Sequence, residues 1–313
     1  MKRVTTLVAL VALCLALTSC SSPASEGDAS NVISIQRGDD GIFSGPIEIV
    51  ENQVSNTTVF QQGGSIIDAS NSHLGYVMVA QSGVTQRLKV QIVKDSVKYN
   101  YDLNNDGTFE AYPLQLGDGS YTVRIMQNKE GNSYFELFSA TIDVQLDSEF
   151  SPFLCPNQYV NYNSQSIAVK KSMDLCYYAQ SDIEKLAVVY QWIIEHVDYD
   201  KEKAETVQSG YLPVVDEILA EKKGICFDYA ALLATMLRVQ GIPTKLVVGT
   251  VSEDDLNHAW NEVYLEHMGW VTVKLKFEGN QWELADPTLD ASSGNEFSKY
   301  IGNGDFYTSL KYY

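Results

Sequence analysis

The pattern of apolar and polar residues changes character once along the chain. Between about residues 47 and 146, apolar and polar positions alternate in short runs that are rich in β-branched and aromatic side chains. A period of two is typical of half-buried β-strands. The clearest runs are residues 76–79, 88–93, 121–125 and 140–144. Turn signals rich in glycine, asparagine and aspartate separate them.

This spacing predicts a β-sandwich over residues 46–147. Seven or eight short strands within about 100 residues are typical of an immunoglobulin-like sandwich. The cysteine–tryptophan–cysteine signature of antibody domains is missing from this segment, so the order of the strands stays open.

From residue 181 the period becomes helical. Ser181 and Glu184 have the spacing of a capping box, and apolar residues then recur at intervals of three and four. Two further helices are predicted over residues 214–222 and 226–239. Strand-like runs follow at residues 245–250, 258–266, 270–277 and 281–285. Helices followed by an antiparallel sheet predict an α+β domain over residues 148–313.

The N-terminus has the features of an export signal over residues 1–19. Lys2 and Arg3 precede an apolar run that is too short for a comfortable membrane span. The run ends in Leu-Thr-Ser-Cys and resembles a bacterial lipoprotein signal, which implies cleavage before Cys20 and lipidation of its sulfur. An ordinary secretory peptide or a short membrane anchor are the alternatives. Residues 20–45 are predicted to be a flexible tether, because their small polar start buries little surface.

The net charge of the chain narrows the classes of molecule that it can bind. The formal net charge is −18, and loss of Lys2 and Arg3 with the signal makes the chain more negative still. Such a surface repels the phosphates of nucleic acids and of anionic lipids. We therefore expect no nucleic-acid partner, and a lipid anchor at Cys20 that holds an extracytoplasmic protein at the bacterial cell surface.

The number of cysteines indicates that one thiol remains unpaired. With Cys14 in the signal and Cys20 lipidated, three cysteines remain. In an exported protein an odd thiol is a candidate for reactivity, and the other two are free to pair. A Cys155–Cys176 disulfide would stabilise the fold by about 3 kcal/mol in the chain-entropy model. Two reduced, separately buried thiols are the alternative.

The segment Asp102-Leu103-Asn104-Asn105-Asp106-Gly107 matches the opening of a calcium-binding loop. The match fails at the twelfth position, where Pro113 stands in place of a bidentate glutamate. Strands rather than helices flank the segment. A polar hairpin turn is favoured, and no metal site is predicted.

Three residues have the chemistry of an activated cysteine nucleophile. Cys226 begins a predicted helix, where free backbone amides and the helix dipole favour the thiolate. His258 begins a strand-like run, and Asp286 follows another. Taken singly, they could be a buried structural thiol, a half-buried histidine and a turn residue before Pro287. Together they supply a nucleophile, a base and an orienting carboxylate.

Residues 181–290 resemble the transglutaminase-like superfamily of papain-type thiol enzymes. The blocks that carry the resemblance are WIIEHVDYD (192–200), GICFDYA (224–230), LRVQGIPT (237–244), HAWNEVY (258–264) and ADPTLD (285–290). The resemblance implies that Cys226 is the nucleophile, His258 the base and acid, and Asp286 the orienting carboxylate. An inserted hairpin over residues 274–280 departs from the family pattern and shifts the position from which Asp286 projects.

The resemblance implies acyl transfer through a cysteine thioester, with no metal or organic cofactor. The expected substrate is a peptide or protein amide, and hydrolysis by a peptidase or amidase is favoured over cross-linking. A catalytically silent cell-surface protein, used for binding or scaffolding, is the alternative. The sequence leaves open the substrate, the acceptor, the role of the sandwich and the oligomeric state.

Overall fold

The computed structural model describes residues 49–251, 256–273, 276–278, 281–283, 301–302 and 307–313. Two predicted functional residues, Cys20 and Asp286, lie outside these described residues. The predicted signal and the whole of the predicted tether, residues 20–45, lie outside them as well.

The described N-terminal half consists of antiparallel strands. Their bounds are β1 Val59–Gln62, β2 Ser65–Asp68, β3 Tyr76–Gln81, β4 Leu88–Lys94, β5 Val97–Leu103, β6 Glu110–Pro113, β7 Gly119–Glu130 and β8 Ser133–Val144. They form two four-stranded sheets, with the orders β1-β2-β3-β6 and β5-β4-β7-β8. Strands therefore precede the helices as predicted, and the immunoglobulin-like type stays a prediction.

Strand β4 shows how the alternating pattern builds these sheets. Leu88, Val90 and Ile92 are buried, whereas Lys89 and Gln91 between them are only partly covered. Successive side chains of a strand point to opposite faces, so the apolar set covers one face of the sheet. Buried residues from both sheets belong to one connected core cluster.

The described residues between 154 and 243 form five α-helices and a short parallel strand pair. Their bounds are α1 Ile167–Cys176, α2 Asp182–His196, β9 Asp198–Tyr199, α3 Lys201–Thr206, α4 Val215–Glu221, β10 Lys223–Gly224 and α5 Cys226–Arg238. Helices α2, α4 and α5 confirm the three predicted from sequence. The periodicity did not indicate α1, α3 or the β9–β10 pair.

Helix α5 is the centre of this part of the chain. Every residue from Asp228 to Arg238 is buried, because the helix contacts α1, α2 and α4 as well as the C-terminal sheet. A helix that is apolar on all sides is expected in such a position. The first turn of α5, which carries Cys226, remains partly accessible.

In the C-terminal part, the residues that the structure describes form a five-stranded sheet and a separate hairpin. The bounds are β11 Thr244–Val251, β12 Leu256–Leu265, β13 Gly269–Val273, β14 Lys276–Glu278, β15 Gln281–Glu283, β16 Ile301–Gly302 and β17 Tyr307–Tyr312. The sheet has the order β16-β13-β12-β11-β17, and β14 pairs with β15. The β14–β15 pair is the inserted hairpin predicted at residues 274–280.

The segment that matches the opening of a calcium-binding loop is a polar connection between β5 and β6. It is not the predicted hairpin turn, because β5 and β6 pair with other strands and belong to different sheets. Asp106 Oδ1 accepts the N–H of Thr108 at 2.8 Å, and Asn104 Oδ1 accepts the N–H of Asp106 at 3.3 Å. Asp102 forms ion pairs with Lys89 at 2.8 Å and Arg87 at 3.0 Å. The polar groups of the motif therefore bond to the chain itself.

The structure does not contain the Cys155–Cys176 disulfide, and both residues are buried free thiols. They lie in different surroundings, since Cys155 belongs to a small cluster with Tyr76 and Cys176 to the main core. The Cys155 thiol donates to the carbonyl of Leu74 at 3.3 Å. Burial raises the pKa of both thiols to about 12, so both are protonated at neutral pH. Of the two alternatives, the structure has the reduced one.

Arg238, the last residue of α5, joins segments that are distant in sequence. Its guanidinium donates to the carbonyls of Thr244 at 2.9 Å, Cys155 at 2.6 Å and Tyr313 at 2.8 Å. Burial lowers the pKa of Arg238 to about 10, so the group remains charged at neutral pH. The described residues belong to one compact unit, and the domain boundary at 147/148 stays a prediction.

Candidate active site

Cys226 lies at the N-terminus of α5, directly after Gly224 and Ile225. The backbone N–H groups of Ala259 and Phe227 act on its thiol as hydrogen-bond donors and lower the thiol's pKa. The first amides of a helix have no partner within the helix, so they are available to such an acceptor. The bond from Ala259 brings the nucleophile of α5 against strand β12.

His258 precedes Ala259 on β12, so the structure brings the predicted base to the strand that contacts the Cys226 sulfur. The imidazole stacks on Trp260, with ring centroids 6.4 Å apart and planes inclined by 19°. This stacking agrees with the predicted period of two, which puts both side chains on one face of the strand. The third predicted residue, Asp286, lies outside the described residues.

Asn261 fixes β12 against α5. Its side-chain amide donates to the carbonyl of Ala230 at 2.9 Å and to that of Lys245 at 3.1 Å. Ala230 lies one turn beyond Cys226 on α5, and Lys245 lies on β11. One buried amide therefore ties the nucleophile's helix to two strands of the sheet that carries His258.

Gly249 makes room for the ring that stacks on His258. It pairs with His258 across β11 and β12. A Cβ at this position would lie 2.7 Å from Cη2 of Trp260 and 2.0 Å from the carbonyl oxygen of Thr308. Neither contact is possible for a real side chain, so the close approach of Trp260 and β17 requires glycine here.

The electrostatics of the thiol differ from the prediction. Burial raises the pKa of Cys226, and the charge of Asp228 raises it further. The backbone hydrogen bonds lower the pKa but do not outweigh burial. The sequence suggested a thiolate favoured by the helix terminus, and this was wrong because desolvation of the sulfur was left out.

Burial also lowers the pKa of His258. A raised thiol pKa and a lowered imidazole pKa both favour the neutral pair over the thiolate–imidazolium pair. In the described surroundings Cys226 is therefore a thiol and His258 a neutral imidazole, which is a base able to accept a proton.

A buried charge cluster lies behind the nucleophile. Asp228 is fully buried and accepts three hydrogen bonds: from Lys203 Nζ at 2.7 Å, from Tyr211 Oη at 2.6 Å and from the N–H of Ile225 at 2.9 Å. Lys203 also donates to the Tyr211 hydroxyl at 2.6 Å. Asp228 lies within the block GICFDYA (224–230), but the sequence did not indicate a role for it, for Lys203 or for Tyr211.

Among the described residues, no group of three or more histidine, cysteine, aspartate or glutamate side chains could hold a metal ion. None of the described helices combines the length and the apolar character needed to cross a bilayer.

Residues 173–275 match the model of the transglutaminase-like superfamily. The match includes Cys226 and His258 and ends before Asp286. This part of the chain is a transglutaminase-like domain of mixed α/β content, which confirms the resemblance seen in the sequence. The match supports a thiol-dependent acyl-transfer or protease-like function for this part of the chain.

Two curated relatives are kyphoscoliosis peptidases. The chain is 32% identical to that of Mus musculus and 29% identical to that of Homo sapiens, in both cases over 126 residues. These residues are 37% of this chain and 17% of each relative. The chain therefore spans about one sixth of the length of these relatives.

Three solved structures are less similar to this chain in sequence. A TGase is 22% identical with a TM-score of 0.28, covering 34% of this chain and 28% of its own. A candidate cysteine protease of Cytophaga hutchinsonii is 16% identical with a TM-score of 0.34, covering 69% and 68%. A candidate protease of Parabacteroides distasonis is 14% identical with a TM-score of 0.28, covering 64% and 61%.

Proposed function

We propose that this protein is a thiol hydrolase that cleaves a peptide-type amide through a thioester at Cys226. The observation that carries the proposal is the contact between the Cys226 sulfur and the backbone of Ala259, beside His258. A nucleophile at a helix terminus and a base on the adjoining strand are the two parts that covalent acyl transfer requires.

The first half of the reaction begins from the neutral pair. As the sulfur attacks the amide carbonyl, His258 accepts the thiol proton, and a tetrahedral intermediate with a negatively charged oxygen forms. The Cys226 N–H is one candidate donor to that oxygen. The imidazolium then gives its proton to the leaving nitrogen, the C–N bond breaks, and a thioester and a free amine remain.

The second half of the reaction determines whether the outcome is hydrolysis or cross-linking. His258 takes a proton from water as the water oxygen attacks the thioester, and the proton returns to the departing sulfur. The products are a carboxylic acid and the restored thiol. A primary amine in place of water would give a new amide. Asp286 is proposed to orient His258 and to stabilise the imidazolium.

Mass spectrometry distinguishes these outcomes. The purified full chain is incubated with a peptide library, with and without a primary amine such as cadaverine. We expect peptide fragments that together gain one water per cleavage, in both conditions. Addition of the amine to the peptides would instead indicate a transamidase. Unchanged peptides, together with the absence of an acyl-enzyme mass on Cys226, would support the silent binding protein.

We also propose that the protein is held at the outer face of a bacterial membrane by lipid on Cys20. The apolar run and the Leu-Thr-Ser-Cys sequence before the expected cleavage point support this anchor. Cys20→Ser should therefore move the protein from the membrane fraction to the soluble fraction or the medium. Fractionation and blotting measure the change, and an unaltered membrane fraction would contradict the lipid anchor.

A further inference from the structure

We propose that Lys203, Tyr211 and Asp228 act as a positioning cluster, which holds the first turn of α5 and cancels the negative charge beside the Cys226 thiol. This inference rests on the proposed function, because it concerns how the same nucleophile is kept reactive. None of the three residues is assigned a part in the chemical steps.

The three side chains of the cluster are all bonded to one another. The two oxygens of Asp228 face a lysine ammonium, a tyrosine hydroxyl and a backbone amide, and Lys203 donates to both of its partners. Three donors around a fully buried carboxyl group are the surroundings that an ionised carboxylate needs. The Lys203 ammonium also lies 4.4 Å from the centre of the Tyr211 ring, which adds a cation–π contact.

Asp228 has a structural task that keeps it close to the nucleophile. Its carboxylate reaches back to the N–H of Ile225, the residue before Cys226. This bond satisfies one of the free amides at the start of α5. Gly224 allows the approach, since a Cβ there would lie 2.7 Å from Cβ of Asp228. The cap therefore places a negative charge two residues from the thiol.

That charge opposes catalysis unless it is compensated. A carboxylate near a thiol raises the thiol's pKa, because the thiolate would be a like charge. The charge of Asp228 has this effect on Cys226. Lys203 supplies the opposite charge at 2.7 Å, so that Asp228 can cap the helix while the pair is neutral overall.

The pairing also settles the charge of the lysine. Burial would lower the pKa of Lys203, but its hydrogen bonds and its attraction to Asp228 outweigh burial, and the pKa is raised. Burial and the bond to Asp228 raise the pKa of Tyr211 to about 12, so the hydroxyl stays protonated and donates. Lys203 is therefore a cation and Tyr211 a neutral donor at neutral pH.

Other groups around Cys226 would contribute to the same titration. The titratable groups coupled electrostatically to the thiol are Asp228 of α5 and Tyr199 of β9. His258 lies on β12 next to Ala259, Lys203 is paired with Asp228, and the exposed Lys223 lies on β10. A test must therefore change the cluster without changing these neighbours.

The test measures the pH dependence of Cys226 alkylation in the full chain. Iodoacetamide rates are read for the Cys226 peptide by mass spectrometry between about pH 6 and pH 10. Lys203→Met leaves Asp228 uncompensated and should raise the apparent thiol pKa by about one unit, which slows alkylation about tenfold at a fixed pH below that pKa. Asp228→Asn leaves Lys203 uncompensated and should shift the thiol pKa downward.

Opposite shifts distinguish charge compensation from simple loosening of the helix. The double variant Lys203→Met/Asp228→Asn removes both charges and should return the profile close to that of the wild type. Lys203→Arg keeps the charge and should do the same. The matched control is Lys201→Met, which removes the same charge from an exposed position on α3 and should leave the profile unchanged.

Each result decides one question. Equal slowing at every pH in Lys203→Met, with no shift of the thiol pKa, would overturn the compensation role and leave the proposed function standing. If Lys203→Met does not fold, Asp228→Asn carries the test, and the absence of a downward shift overturns the inference. A wild-type protein that leaves the peptide library uncleaved and forms no acyl-enzyme on Cys226 would instead overturn the proposed function and this inference with it.

Discussion

Cys226→Ala is expected to abolish thioester formation while leaving the fold intact. The loss should be about ten-thousand-fold or more, because removal of a covalent nucleophile leaves only binding and oxyanion stabilisation. The free energy of unfolding should change by less than about 1 kcal/mol, since Cys226 lies at the partly accessible first turn of α5 and not in its fully buried body. Intact-protein mass spectrometry of trapped acyl-enzyme measures the first effect, and thermal unfolding measures the second.

Cys176→Ala is the matched control for this variant. It removes the same sulfur from a buried position in the core, so it should lower stability by about 1 to 2 kcal/mol and leave acyl-enzyme formation unchanged. The two alanine variants are thus expected to separate activity from stability. A Cys226→Ala protein that unfolds as easily as Cys176→Ala, or that still forms the thioester, would identify Cys226 as a structural thiol.

The helix that carries Cys226 could be predicted from the sequence, because the signals for a buried helix are local. A helix that is apolar on all sides and begins at Cys226 must be buried, and the structure buries its body as expected. The strand that begins near His258 and the hairpin after residue 274 follow from alternation and from turn residues in the same way. Local periodicity fixes such elements without knowledge of their partners.

Features that depend on distant residues could not be predicted in this way. The charge that balances Asp228 comes from Lys203 on a helix of six residues, which has too few positions for a periodic pattern. Gly249 is required by Trp260 and by the backbone of β17, and the alternation did not indicate that last strand. Asp228 carried one usable signal, since an acidic residue at the third helical position is half of a capping box.

The predicted ionisation state of the Cys226 thiol was wrong for a related reason. The helix terminus acts through bonds and dipoles that can be read from the sequence, whereas burial depends on how β12 packs against α5. Desolvation has the larger effect on Cys226. The consequence is chemical: the base must remove the thiol proton during the attack, so catalysis depends more strongly on His258 than in a site with a preformed thiolate.

His258→Ala should therefore lower the rate of thioester formation by about a thousand-fold or more at neutral pH. The pH profile tests the assignment more sharply than the rate alone. Neutral His258 is the active form, so wild-type activity should appear as the pH rises through the pKa of His258. Burial lowers that pKa, which puts the acidic limb of the profile below the ordinary histidine value of about 6.5. A carboxylate at Asp286 would act in the opposite direction and move the limb upward.

In His258→Ala the acidic limb should disappear, and the remaining activity should rise only as the thiol itself ionises at alkaline pH. The control is His267→Asn at an exposed turn, where asparagine tolerates the left-handed backbone with φ of 68° and the wild-type profile should persist. The measurement is kcat/KM against pH on a cleaved peptide from the library. A His258→Ala profile that keeps the wild-type acidic limb would show that another group removes the proton, since a limb due to His258 cannot survive the loss of its imidazole.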